Sequence, residues 1–309
     1  MIWLFITLGI LLLLLLVAAR WAFHYTFVRG HNDVLALLEN TDHFLYPYGE
    51  MIRENMERID RSPHTIHTVT SFDGLKLSAR LYPAENARGT VLVFHGYRST
   101  ALRDYACAVD MYRGFGFDVL MVEQRCSGES EGRVITFGIR ERHDVLSWVA
   151  YLNEQYGTDR PLFLSGLSMG AATVMMATAL PLPPNVRGIV ADSGFTTPAD
   201  IIGTVAKRDF HLPRWLTLPF LNMSAHLFGG FGLYEANALD ALKGNAIPML
   251  FIHGEADSFV PCDMSRRAFA VCAAEKRLIT VPNAEHGCGY LVDPERLSAV
   301  LGEFFEENM

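Results

Sequence analysis

The chain has 309 residues, 50% hydrophobic and only 19% charged; this much apolar side chain collapses in water, which excludes wholesale disorder. Lys plus Arg number 26 against 34 for Asp plus Glu, a formal charge of -8 with no basic cluster. The concentrated positive field that nucleic acid requires is therefore missing.

Residues 2–19 form an uninterrupted uncharged run with consecutive leucines at 11–16. That length sits at the lower edge of what spans a bilayer, and Trp21, Phe23, Tyr25 and Phe27 extend it as an aromatic belt. Val17 and Ala19 fit the small-residue positions of a signal-peptide cleavage site, so secretion after cleavage is the alternative. Against it, no Lys or Arg precedes the run, whereas signal peptides carry a basic leader. Arg20 and Arg29 follow the run, and this flank bias assigns the catalytic part to the cytoplasmic side. The expectation is a single-pass anchor over 1–29, dispensable for folding, and a linker over 30–63 with short helices at 34–38 and 51–59.

From residue 64 the texture changes. Segments 67–70 and 75–82 read as strands about the turn Asp73-Gly74, a hairpin signal. Strands follow at 90–94, 117–122, 161–165, 186–191, 248–252 and 276–281. Helical patterns alternate with them at 105–113, 139–156, 171–180, 264–273 and 294–305. Such alternation predicts an α/β fold, an eight-stranded, mostly parallel sheet covered by helices on both faces. The interval 194–245 is too long for an ordinary connection and is rich in Phe, Leu and Trp. It reads as a small helical cap over the strand ends, or else as an extra membrane-touching surface.

The chemistry concentrates after strand ends. Gly166-Leu167-Ser168-Met169-Gly170 lies between a strand and a small-residue helix, where the glycines permit a tight turn that exposes the serine hydroxyl. A serine needs a general base to take its proton. His286, in Asn283-Ala284-Glu285-His286-Gly287, is the candidate, and Asp257, in His253-Gly254-Glu255-Ala256-Asp257, is the acid that would orient it. Asp192 also follows a strand end and is the substitute acid. His95 and His253 read as hydrogen-bonding residues of tight turns, and Glu285 as a surface carboxylate. The backbone N–H groups of Met169 and Tyr97 are the expected oxyanion donors, and the Tyr97 ring is a candidate wall of the acyl pocket.

The five cysteines, Cys107, Cys126, Cys262, Cys272 and Cys288, are an odd number without a CxxC pair, the pattern of neither a disulfide scaffold nor a zinc site. Cys288 stands two residues from the proposed base and is expected to be buried and inert. Neither a dinucleotide fingerprint nor a Walker pattern is present, so no cofactor and no metal are expected.

Over residues 64–309 the sequence resembles the α/β-hydrolase superfamily. HGY at 95–97, GLSMG at 166–170, HGEADSFVP at 253–261 and NAEHG at 283–287 carry the resemblance. RCSGESEG at 125–132 resembles the family's arginine- and glycine-rich loop, with Gln124 a mild departure before it. In texture the chain is similar to bacterial membrane-anchored hydrolases of the serine aminopeptidase and monoacylglycerol lipase group. The resemblance implies a serine hydrolase working through an acyl-enzyme on Ser168. The apolar interval 194–245 suggests a carboxylic ester with a short to medium apolar acyl group as substrate. Peptide or amide hydrolysis by the same triad is the alternative, and a catalytically idle, membrane-tethered interaction protein is another. The expected partners are a small acyl substrate and the lipid bilayer; no feature of the sequence sets the oligomeric state.

Overall fold

A strand that is apolar on both faces needs cover on both faces, and β3 (Gly89–Phe94) shows how this is met. Val91 and Val93 face a cluster with Phe304 and Phe305 of the C-terminal helix Pro294–Glu307. Leu92 and Phe94 face the opposite cluster, with Trp148 of the helix Glu141–Tyr156 and Val174 of the helix Met169–Ala177. Burying each such side chain stabilises the fold by about 1.5–3 kcal/mol.

The structure, a computed structural model, describes residues 1–30 and 34–309; residues 31–33 of the expected linker lie outside the described residues. The other strands are β1 (Thr65–Thr70), β2 (Lys76–Tyr82), β4 (Phe117–Glu123), β5 (Leu162–Leu167), β6 (Val186–Asp192), β7 (Met249–Gly254) and β8 (Lys276–Val281). They form one sheet in the order β1-β2-β4-β3-β5-β6-β7-β8. Only β2 runs against its neighbours, pairing antiparallel with β1 and β4. The remaining pairs are parallel, so the loops after β3, β5, β6, β7 and β8 emerge at one edge.

All eight expected strands are present, but the helix expected at 105–113 is not continuous. It divides into Ala101–Tyr105 and Val109–Gly114. Between them the N–H of Ala108 bonds to the Tyr105 carbonyl, and this tightening to a three-residue spacing interrupts the α-helical ladder. The first piece is capped by Thr100, whose side chain accepts from the N–H of Arg103.

The N-terminal helix runs Ile2–Phe27, and its two ends differ. Its best membrane-length window has a mean hydropathy of 2.9 and is 6% buried, long and apolar enough by composition to cross a membrane. Toward its end Ala19, Phe23 and Phe27 are buried, four positions apart and hence on one face. Phe27 packs edge-on against Phe137 and Phe231. The chain then bonds into the domain, with the N–H of Arg29 donating to the Arg133 carbonyl and that of Ile135 to the Phe27 carbonyl. A boundary at residue 29 cuts through this packing.

The interval 194–245 does fold as helices, Pro198–Phe210, Arg214–Gly229 and Ala238–Leu242. Thr197 and Asn237 cap the first and third by accepting from the N–H groups of Asp200 and Asp240. The middle helix lies along the N-terminal helix, where Phe228 meets Phe23 and the Arg20 guanidinium lies over the Phe228 ring.

Candidate active site

Ser168 sits between β5 and the helix Met169–Ala177 with φ 57°, a left-handed conformation costing a non-glycine residue about 1–3 kcal/mol. The surroundings enforce it. The Ser168 N–H donates to the Asp192 carbonyl at 2.8 Å and its own carbonyl accepts from the N–H of Ala172 at 3.0 Å. The flanking glycines have no room for a side chain. A Cβ on Gly166 would lie 2.3 Å from the Gly170 backbone, and one on Gly170 would lie 1.8 Å from the Phe94 carbonyl oxygen. The helix start is thus jammed against the ends of β3 and β5, with the serine hydroxyl at the turn.

The loops after β7 and β8 bring the other two residues to it. His286 Nε2 lies 2.9 Å from Ser168 Oγ, and His286 Nδ1 lies 2.8 Å from Asp257 Oδ2. A carboxylate only accepts, so Nδ1 carries the proton and Nε2 is left to accept from the serine hydroxyl. Asp257 Oδ1 accepts from the N–H groups of Phe259 and Val260, at 2.9 and 2.7 Å. His253 Nε2 donates to the Val260 carbonyl at 2.9 Å and lies 3.1 Å from Asp257 Oδ2; its Nδ1 accepts from Ser265 Oγ at 2.6 Å. Burial works to raise the Asp257 carboxyl, but the hydrogen bonds and charges of His253 and His286 outweigh it and hold the group well below the usual carboxylate range. His253 is therefore more than a turn residue, since it shares the orienting carboxylate.

Asp192, the substitute acid, is not joined to His286; its carboxylate accepts from Ser193 Oγ at 2.8 Å. Burial, reinforced by the charge of Asp257 and opposed by Ser193 and the two histidines, pushes its carboxyl up to about 6. Glu285, expected as a surface carboxylate, is half-buried and accepts from both the N–H and the hydroxyl of Ser258 at 2.9 Å, tying the acid loop to the base loop. Cys288 is buried, and burial first, then the charges of Asp192, Glu285 and Asp257, push its thiol up to about 12. A buried thiol kept protonated is a weak nucleophile.

Met169, the first expected oxyanion donor, directly follows the serine. The N–H of Met169 belongs to the first helical turn, whose N–H groups have no partner within the helix and where the dipole favours negative charge. Tyr97 follows β3 in a loop that crosses close to the serine; a Cβ on Gly96 would lie 3.4 Å from Ser168 Cβ. Sequence reasoning missed Asp104, the anchor of this loop. Its carboxylate accepts from the N–H of Gly96 at 2.7 Å and from Ser99 Oγ at 2.6 Å. Burial would raise this acid, yet Arg103, His95 and those donors lower it. The signal that could have revealed it is an Asp four residues after the Thr100 cap, one turn into a helix that begins beside the loop.

A cavity of about 350 Å³ opens at Ser168 and His286 and runs between Tyr105, Met111, Leu297 and Leu301. Its roof includes Phe44 and Phe259, whose rings approach His286 at 6.2 and 5.1 Å. No described residue of the 194–245 interval lines it, which corrects the assignment of that interval to the acyl pocket. The helix Arg214–Gly229 is committed to the N-terminal helix instead, and the segment at 43–45 covers the site. Tyr97 does line the cavity, but its ring stacks on Phe137 and its hydroxyl points to Thr26.

The profile of the serine aminopeptidase, S33, family matches residues 85–221, a stretch that holds Tyr97, Ser168 and Met169 and stops before Asp257 and His286. The uncharacterized protein YqkD of Bacillus subtilis is 21% identical over 91% of this chain and 89% of its own length. An esterase of Pyrococcus furiosus superposes with a TM-score of 0.63 at 24% identity, over 83% of this chain and 94% of that one. An alpha/beta hydrolase of Penicillium, GrgF, superposes with a TM-score of 0.64 at 17% identity, over 80% of this chain and 99% of that one.

Proposed function

We propose that this chain, which has the α/β-hydrolase fold, is a serine hydrolase cleaving carboxylic esters with a short to medium apolar acyl group. The observation that carries the proposal is the unbroken hydrogen-bond chain from Ser168 through His286 to Asp257 at the mouth of a largely apolar cavity. Ser168 Oγ attacks the ester carbonyl carbon while His286 Nε2 takes its proton, and Asp257 stabilises the imidazolium. The carbonyl oxygen becomes an oxyanion facing the N–H groups of Met169 and Tyr97. As the C–O bond breaks, His286 returns the proton to the leaving alkoxide, and an acyl-enzyme remains. Water, deprotonated by His286, releases the acid and restores the serine.

An aminopeptidase needs a carboxylate free to hold the substrate's α-amino group. Asp104 and Asp192, which line the cavity, are bonded to Gly96 and Ser99 and to Ser193 respectively, which favours the ester reading over the peptidase one. The test compares p-nitrophenyl esters of graded acyl length with aminoacyl p-nitroanilides, and pairs both with the intact mass after an organophosphonate. Ester turnover and an adduct on Ser168 are expected. Turnover confined to the anilides would make it a peptidase, and no turnover with no adduct would make the fold idle.

We infer further that the N-terminal helix is an uncleaved membrane anchor with the domain on the cytoplasmic side, and that the 194–245 helices stand at the bilayer surface. Trp21 stacks on Tyr25, and Tyr25 meets Phe210 edge-on. Trp215 is 76% exposed, and the same interval carries Lys207, Arg208 and Arg214, a composition suited to the headgroup region. Carbonate-resistant association without a drop in mass is expected, together with protease protection of the domain in right-side-out vesicles; loss of the apolar run from the mature protein would make it a signal peptide.

A further inference from the structure

We propose that the last turn of the N-terminal helix is a positioning element for the oxyanion hole, coupled to it by the side chains of Tyr97 and Arg98. The proposal rests on the reading of the Tyr97 N–H as an oxyanion donor. The final carbonyls of a helix lack intrahelical partners and carry the negative end of its dipole. Here the oxyanion loop supplies the donors. Tyr97 Oη donates to the Thr26 carbonyl at 2.8 Å, and Arg98 Nη2 donates to the carbonyls of Tyr25 and Val28 at 2.7 and 2.9 Å. The Arg98 guanidinium also lies over the Tyr97 ring, 5.0 Å from its centre, so the two side chains act from one position.

The loop between β3 and the helix Ala101–Tyr105 is therefore held from two sides. Asp104 fixes its ends at Gly96 and Ser99, whereas its middle, Tyr97 and Arg98, is fixed by the N-terminal helix. Arg98 has φ 50°, a strained conformation for a non-glycine residue that persists where surrounding contacts enforce it. The Tyr97 side chain, stacked on Phe137, is spent on the helix terminus, and its N–H remains on the segment that crosses beside Ser168. Donors act on an oxyanion only when already in place, and small misplacements of catalytic geometry are costly. The seat of the helix thereby becomes part of the rate.

The experiment uses the full chain in detergent micelles, with active sites counted by organophosphonate titration. Tyr97→Phe removes one hydroxyl, Arg98→Met removes the guanidinium but keeps much of the stem, and the double variant removes both. The control is Arg160→Met, which cuts the bonds to Thr90, the Gly89 carbonyl and Asp118 at the opposite end of β3 and leaves the N-terminal helix and the oxyanion loop alone. The double variant should lose about tenfold in kcat per titrated site with KM within about twofold, less than the roughly 10²–10³ lost with a whole oxyanion donor. Its affinity for a trifluoromethyl ketone should fall in parallel with kcat/KM. Arg160→Met should lower the melting temperature and leave kcat unchanged, and Arg98→Lys should recover part of the rate.

An unchanged kcat per titrated site in the double variant, or an equal loss in Arg160→Met, would overturn the proposal. If the double variant does not fold, Tyr97→Phe alone is read by the same criteria, with a threefold loss as the threshold. Ser168→Ala, measured alongside, separates this idea from the one beneath it. Activity surviving there overturns the site and this inference together, whereas a dead Ser168→Ala beside an unaltered double variant overturns this inference alone.

Discussion

Asp257→Asn tests the proposed triad at the residue whose surroundings constrain the outcome most. Oδ1 receives the N–H groups of Phe259 and Val260, and an amide nitrogen cannot accept them. The amide of the variant must therefore place its oxygen there and its NH₂ group where Oδ2 now meets the two imidazoles. Donor then faces donor. His286 escapes this by moving its proton from Nδ1 to Nε2, so that it donates to Ser168 instead of accepting from it, and the general base is lost. In serine proteases the equivalent change costs about 10⁴ in kcat, or about 5.5 kcal/mol of barrier, and a similar loss is expected here. The assay is kcat/KM on one activated ester from pH 5 to 10, with circular dichroism to show that the fold is intact. The reasoning fails if Asp257→Asn keeps more than a tenth of the activity. It also fails if Asp192→Asn is the more damaging change, because the acid would then belong to the end of β6.

Gly170→Ala should abolish cooperative folding, since its methyl would meet the Phe94 carbonyl oxygen at 1.8 Å and overpacking against backbone cannot be relieved by a rotamer change; urea unfolding of any soluble fraction checks this. Removing residues 2–18 should leave a soluble and active enzyme, whereas removing 2–29 takes away the buried Phe23 and Phe27, each worth about 3–5 kcal/mol, and should give aggregated or unfolded protein in expression and light-scattering trials. Asp192 is raised from 3.8 to about 6 by the fold, so the native state binds its proton more tightly than the unfolded chain does, and the wild type loses stability as pH rises through that window. Thermal melts of Asp192→Asn should therefore gain on wild type between pH 4 and pH 7, and a difference independent of pH would refute the assignment.

The parts legible in the residues were those whose cause is local. Apolar runs such as 90–94 and 117–122 need both faces covered wherever they fall in the chain, so they announced the parallel sheet. The glycines around Ser168 reflect a turn within a few residues, and His286 and Asp257 stand just after strands, so the shared edge of a parallel sheet brings them together. Elements separated by long stretches of chain left no such trace. Nothing local to Tyr97 indicates that its hydroxyl will meet Thr26, 71 positions away. Aromatic residues are equally apolar in a lid, in a core or at a bilayer surface, so the composition of 194–245 could not say which it serves. That was decided when the buried stripe of Ala19, Phe23 and Phe27 claimed the helix Arg214–Gly229 as its partner, leaving Phe44 and its neighbours to roof the cavity. Periodicity reports that a face must be buried, and only the packed chain determines what buries it.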